Sequence, residues 1–123
     1  MKTILLVDDD DLLAEMLRQA LTAFGYAVVR ARNGREALPL YDPQTVALVL
    51  TDLIMPDMEG LELILSLQKR DPAVRIIAMS GGGRNEPQAY LSVAEKAGAV
   101  KTLTKPFPLA TLRAALKECL DET

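Results

Sequence analysis

Short apolar runs alternate with longer stretches of helical period from one end of this chain to the other, and no repeat or low-complexity tract interrupts them. Ile4 to Val7 reads as a strand buried on both faces, after which Leu13, Met16, Leu17, Ala20, Leu21 and Phe24 recur at helical spacing until Gly25 stops them. Ala27 to Ala31 predicts a second strand, and Asn33 caps a helix through Glu36, Ala37, Leu38 and Leu40 that Pro39 keeps short. Val46 to Thr51 is a third strand, followed by helical Leu61, Ile64, Leu65 and Gln68 up to the Asp71-Pro72 stop. Val74 to Met79 predicts the fourth strand. Pro87 opens a helix whose Tyr90, Leu91, Ala94 and Ala97 share a side before Gly98. Val100 to Leu103 is a short fifth strand, and Leu109, Leu112, Leu116 and Leu120 stripe a last helix with Cys119 beside it as a small core hydrophobe. Five such units joined by right-handed crossovers predict an α/β fold: a doubly wound five-stranded parallel sheet of order 2-1-3-4-5 with helices on both faces.

The 123 residues amount to one domain, expected to fill 1–123 with no output domain behind it. Fourteen Lys and Arg against 17 Asp and Glu leave a net charge of −3, which argues against nucleic acid as a partner. The absence of histidine excludes a Ser-His-Asp triad, a His-ligated zinc and any phosphohistidine formed on this chain. Cys119 is the single cysteine, so no internal disulfide forms and no oxidising compartment is demanded. The apolar start from Ile4 to Val7 is cut off by Asp8 to Asp11 too early for a signal peptide, and no run approaches the roughly 18 apolar residues of a membrane span. A cytoplasmic protein with no membrane partner is expected.

In open parallel sheets ligands bind beyond the carboxyl ends of the strands, where strand order reverses. Asp8 and Asp9 follow strand one, Asp52 strand three, Ser80 strand four and Lys105 strand five, while strand two offers only Arg32 and Asn33. Three carboxylates held that close repel one another unless they take up protons or a hard cation joins them, and Mg²⁺, with Mn²⁺ as a substitute, suits an all-oxygen set. A carboxylate beside such a cation, with a Lys and a Ser opposite, suits attack on a phosphoryl group to give an aspartyl phosphate.

These residues and their order resemble the response-regulator receiver domains of two-component signalling, over essentially the whole chain. Asp8-Asp9 resembles the family's acidic pair, Asp52-Leu53-Ile54-Met55-Pro56-Asp57-Met58-Glu59-Gly60 its D-x-x-M-P-x-x-x-G segment, and Thr104-Lys105-Pro106-Phe107 the surroundings of its lysine. The resemblance implies a flavodoxin-like receiver fold with Asp52 as phosphoacceptor. It also implies Mg²⁺ held by Asp9, Asp52 and the Ile54 carbonyl, with Asp8 acting mostly through water, and Ser80 and Lys105 on the phosphoryl oxygens. A histidine kinase or histidine phosphotransfer domain would donate the group. A downstream protein would read the face of helix four, strand five and helix five, and the chain would not turn over external substrates. A cis Lys105-Pro106 bond is implied too. One departure stands out: Thr102 occupies a position where receivers commonly carry Tyr or Phe, so the aromatic half of the usual switch is missing. Ile54 and Gly82 lie where the family varies phosphoryl lifetime, and neither side chain can orient water, which predicts slow self-dephosphorylation.

Other readings compete. One of Asp10 and Asp11 caps helix one, Met16 and Met79 are packing residues, Met55 precedes a Pro in the phosphoacceptor loop, and Gly81-Gly82-Gly83 is a loop without a phosphate-binding motif. The chain could be a receiver fragment of a larger regulator or hybrid kinase, or a binding module independent of phosphorylation. A remote rival is a haloacid-dehalogenase-like phosphatase using Asp8 in Asp8-Asp9-Asp10, although Leu12 replaces the usual Thr or Val and no cap is accommodated.

Overall fold

The computed structural model describes residues 1–53, 60–80 and 87–122, with 87–91 as backbone only. The chain runs β1 (Thr3–Val7), α1 (Asp11–Ala23), β2 (Ala27–Ala31), α2 (Gly34–Leu40), β3 (Val46–Asp52), α3 (Gly60–Arg70), β4 (Ile76–Ser80), α4 (Pro87–Ala97), β5 (Lys101–Thr104) and α5 (Leu109–Cys119). The strands form one parallel sheet in the order β2-β1-β3-β4-β5, as the sequence predicts.

Alternation along the central strands splits the core into two layers. Leu5, Val7 and Val49 face α2, α3 and α4 and pack on Ala37, Leu63, Ile64, Leu67 and Ala94. Ile4, Leu6, Leu48 and Leu50 face α1 and α5 and pack on Leu17, Leu21, Leu112 and Leu116. Both faces are covered, which is why Ile4 through Val7 are all fully buried and read as an unbroken apolar run. Each such side chain contributes roughly 1.5–3 kcal/mol of burial.

Helix boundaries follow local chemistry. The Asp10 side chain accepts hydrogen bonds from the N–H groups of Leu12 and Leu13, which settles Asp10 rather than Asp11 as the cap of α1. Gly25, at φ +101°, takes the left-handed conformation that ends this helix. Asn33 caps α2 by accepting from the Glu36 N–H, and that helix is indeed short, at seven residues with Pro39 inside.

Several expectations need correction. β4 starts at Ile76 rather than Val74, because Asp71 draws the chain into a turn: its carbonyl accepts the Val74 N–H and its side chain the Ala73 N–H. The β3/β4 ladder begins only at Val49↔Ile76, and pairing of Ser80 with Thr104 carries β4 one residue further than expected. β5 likewise runs Lys101–Thr104, leaving Val100 exposed before it. Met16 is not packed: it is 61% exposed and, with Leu13, Leu17, Pro106, Phe107 and the exposed Leu109, lines an apolar groove of about 520 Å³ between α1 and the start of α5. Cys119 is half-buried against the α1/α5 core, and burial pushes its thiol pKa up, as a packing cysteine requires. The expected loops at Met55 and at Gly81-Gly82-Gly83, and the Tyr90 and Leu91 side chains, lie outside the described residues. Among the described residues no helix is long and apolar enough to cross a membrane.

Candidate functional site

Strand ends deliver the site. Asp8 comes immediately after β1, and its N–H still donates to the Ala31 carbonyl at 3.1 Å, so the strand trajectory persists one residue beyond its last pair. Asp52 is the last residue of β3, paired with Met79, and Ser80 is the last of β4, one residue beyond that partner. The Lys105 N–H donates to the Ser80 carbonyl at 2.8 Å, holding the end of β5 against β4, and the Lys105-Pro106 bond is cis as the resemblance implies.

Asp8, Asp9 and Asp52 each bring a carboxylate oxygen within 4.8 Å of the other two. Asp8 is fully buried, Asp52 is 8% exposed and Asp9 is intermediate. The Lys105 Nζ lies 3.0 Å from Asp52 Oδ2 and 3.5 Å from Asp8 Oδ2. Burial pushes the Asp8 carboxyl above its ordinary range, and the neighbouring Asp52 charge adds to that push. The Asp10 N–H, donating to Asp8 Oδ1 at 2.9 Å, and the Lys105 ammonium both oppose it.

This donor set fits a hard divalent cation. It offers clustered carboxylate oxygens, one of them desolvated, and among the described residues the Lys105 ammonium reaches two of the three. Ile54, whose carbonyl completes the expected set, and Gly82 lie outside the described residues. Ser80 is buried at the same sheet edge. Thr102 sits half-buried in β5 opposite Ala78.

The start of α3 is pressed against the end of β3. The Gly60 N–H donates to the Leu53 carbonyl at 2.9 Å, and a Cβ on Gly60 would run into the Asp52 carbonyl oxygen and come within 2.6 Å of Leu53 Cα. Backbone atoms have nowhere to go, so only glycine fits at position 60 without displacing Asp52.

Sequence reasoning misses one residue of the site's surroundings. Arg30 lies inside β2, where no residue after the strand end is being sought, yet its Nε and Nη2 reach the Asp8 carbonyl oxygen at 3.2 and 2.7 Å. Its only sequence signal is a charge at a strand position sharing the parity of Val28, on the α1 side of the sheet.

Comparison with known proteins places the fold in a family. The response regulator receiver domain family matches residues 4–117. The chain is 37% identical to the chemotaxis protein CheY of Thermotoga maritima, over 95% of this chain and 96% of that protein. It is 36% identical to the transcriptional regulatory protein GlrR of Escherichia coli K12 over 98% of its own length, but it spans only 26% of that relative. A CheY-like response regulator receiver domain protein from Methanospirillum hungatei superimposes with a TM-score of 0.86 at 33% identity, over 98% of this chain and 94% of that one.

Proposed function

The chain belongs to the response regulator receiver domain family, whose members are signalling modules that interact with histidine kinases and downstream effectors, and on that premise we propose that Asp52 is its phosphoacceptor. The observation that carries the reading is the Asp8, Asp9 and Asp52 cluster with the Lys105 ammonium 3.0 Å from Asp52. Asp9, Asp52 and the Ile54 carbonyl would hold Mg²⁺ or, in its place, Mn²⁺, with Asp8 in support. Bound there, the cation supplies positive charge against the oxygens of the transferring phosphoryl group.

An Asp52 carboxylate oxygen attacks the phosphorus of a partner's phosphohistidine; the P–N bond breaks and its electron pair stays on the imidazole nitrogen. Lys105 neutralises charge on the phosphoryl group, and Ser80 donates its hydroxyl to a phosphoryl oxygen. The phosphohistidine must lie outside these 123 residues, because they contain no histidine. The new charge at Asp52 is then read on the face formed by α4, β5 and α5, with Thr102 in place of the usual ring. The phosphoryl group is lost slowly and no external substrate is turned over. The protein acts in the cytoplasm without binding nucleic acid or membrane, in keeping with its acid excess.

A second reading, a receiver joined to further domains, is favoured by the 26% share of GlrR that the chain spans; the site chemistry is the same in both. Intact mass after incubation with acetyl phosphate tests the acceptor role. Wild type should gain one phosphoryl group only with Mg²⁺ present, and Asp52→Asn should gain none. Labelling that survives in Asp52→Asn but needs Asp8 would favour the phosphatase-like rival, and no labelling of wild type would favour a phosphorylation-independent module.

A further inference from the structure

Four consecutive aspartates, Asp8 to Asp11, open the loop after β1, and they have separate fates. Asp8 and Asp9 join Asp52, Asp10 caps α1, and Asp11 turns away to bind two arginines. Asp11 Oδ1 receives Arg30 Nη1 at 2.9 Å and Arg32 Nη1 at 2.6 Å, and hydrogen bonds from these guanidiniums hold the Asp11 carboxyl below the usual carboxylate range. With Nη1 anchored, Arg30 directs Nε and Nη2 onto the carbonyl oxygen of Asp8.

That carbonyl needs a donor from outside the sheet. The β1/β2 ladder ends at Val7↔Ala31, so no further β2 pair continues it, and the guanidinium fork stands in. Asp8 is thereby held at four atoms: its N–H on the Ala31 carbonyl, its carbonyl on Arg30, its Oδ1 on the Asp10 N–H and its Oδ2 3.5 Å from the Lys105 ammonium. The same carbonyl belongs to the peptide plane joining Asp8 to Asp9, so fixing it narrows the directions in which both carboxylates can leave the backbone.

We propose that Arg30, anchored by Asp11, is a positioning residue for the cation site, orienting the Asp8-Asp9 peptide so that both carboxylates meet Asp52. This rests on the reading that Asp8, Asp9 and Asp52 hold Mg²⁺. Charge and geometry make opposite predictions for removal of the arginine. Deleting a cation beside an acidic cluster should tighten Mg²⁺ binding by Coulomb attraction alone. Loss of the fork should weaken it, since groups that orient metal ligands are typically worth about tenfold or more in affinity.

Calorimetric titration of the full chain with MgCl₂ decides between them. Arg30→Met should bind Mg²⁺ about tenfold more weakly than wild type. Arg75→Met removes the same charge at the opposite edge of the sheet, where Arg75 lies 3.8 Å from Asp121, and should bind as wild type does. Should Arg30→Met fail to give the wild-type circular dichroism spectrum, Arg30→Gln, equally neutral and more tolerant of a polar site, takes its place with the same expectation. An Arg30 variant that binds as tightly as Arg75→Met, or more tightly, overturns the proposal while the cation site stands. A wild-type chain that binds no Mg²⁺ overturns the cation site and this inference together.

Discussion

The two edges of the sheet use the same kinds of side chain in opposite ways. At the amino edge, Lys2 pairs with Glu122 at 2.9 Å, Tyr26 donates to the same Glu122 at 2.7 Å, and Tyr41 donates to Asp71 at 2.6 Å while Arg70 grips the carbonyls of Leu38 and Tyr41. These contacts tie helix ends to strand starts with donor and acceptor in balance. At the carboxyl edge, among the described residues, three carboxylates converge and the Lys105 ammonium reaches two of them, so negative charge within the cluster is in excess and partly desolvated. A balanced cluster holds the fold together, whereas an unbalanced one stores an affinity for whatever cation or charged group arrives.

Removing the ammonium that reaches the carboxylate cluster should have the largest effect. Lys105→Met removes the ammonium that contacts Asp8 and Asp52, and the rate of phosphoryl acceptance from acetyl phosphate should fall about 100-fold. Quench-and-mass kinetics at saturating Mg²⁺ measure it; a rate within threefold of wild type would dissolve the contrast between the edges.

Relieving the excess from the acidic side should have a smaller and opposite effect on the fold. Asp8→Asn should raise the metal-free Tm at pH 7 by about 4 °C, while abolishing the further rise that Mg²⁺ produces in wild type. The direction in pH follows from burial holding the Asp8 carboxyl above its ordinary 3.8. The folded state disfavours the ionised form, so the contribution of Asp8 to metal-free stability is greatest below the ordinary carboxylate range and is lost as pH rises through the raised value. Asp8→Asn should lack that decline in thermal melts across the acid range.

The balanced edge should respond least. Tyr26→Phe removes the hydroxyl bound to Glu122 and should cost about 1 kcal/mol in urea unfolding. Burial, and then the hydrogen bond to Glu122, push the Tyr26 hydroxyl from 10.0 up to about 12. Its contribution is therefore complete below pH 10.0 and lost as pH climbs toward about 12, an alkaline limb that Tyr26→Phe should flatten.

Much of this contrast is legible in the sequence. Carboxylates and a lysine immediately after apolar runs mark the functional edge, because a parallel sheet sends every strand's carboxyl end to one side. The balanced edge leaves no such mark: Glu122 pairs with Lys2 from the far end of the chain, and Tyr41 meets Asp71 across 30 positions. Met16 and Leu109 read as core from their spacing, but each lies at the rim of a helical stripe, where the groove between α1 and α5 leaves it exposed. Arg30 escapes notice because its role is defined by a carbonyl 22 residues away.

The sequence by itself determined the succession of elements, the sheet order and the positions of Asp8, Asp9, Asp52, Ser80 and Lys105, since periodicity and strand-end chemistry are local properties that survive without neighbours. Only the tertiary structure decided that Asp10 rather than Asp11 caps α1 and that Asp11 anchors two arginines beside the carboxylate cluster. It also decided that Lys105 reaches Asp52 across 53 residues and that Gly60 must lack a side chain beneath that strand. Those outcomes depend on distances between segments brought together by packing, and no pattern within one segment encodes them.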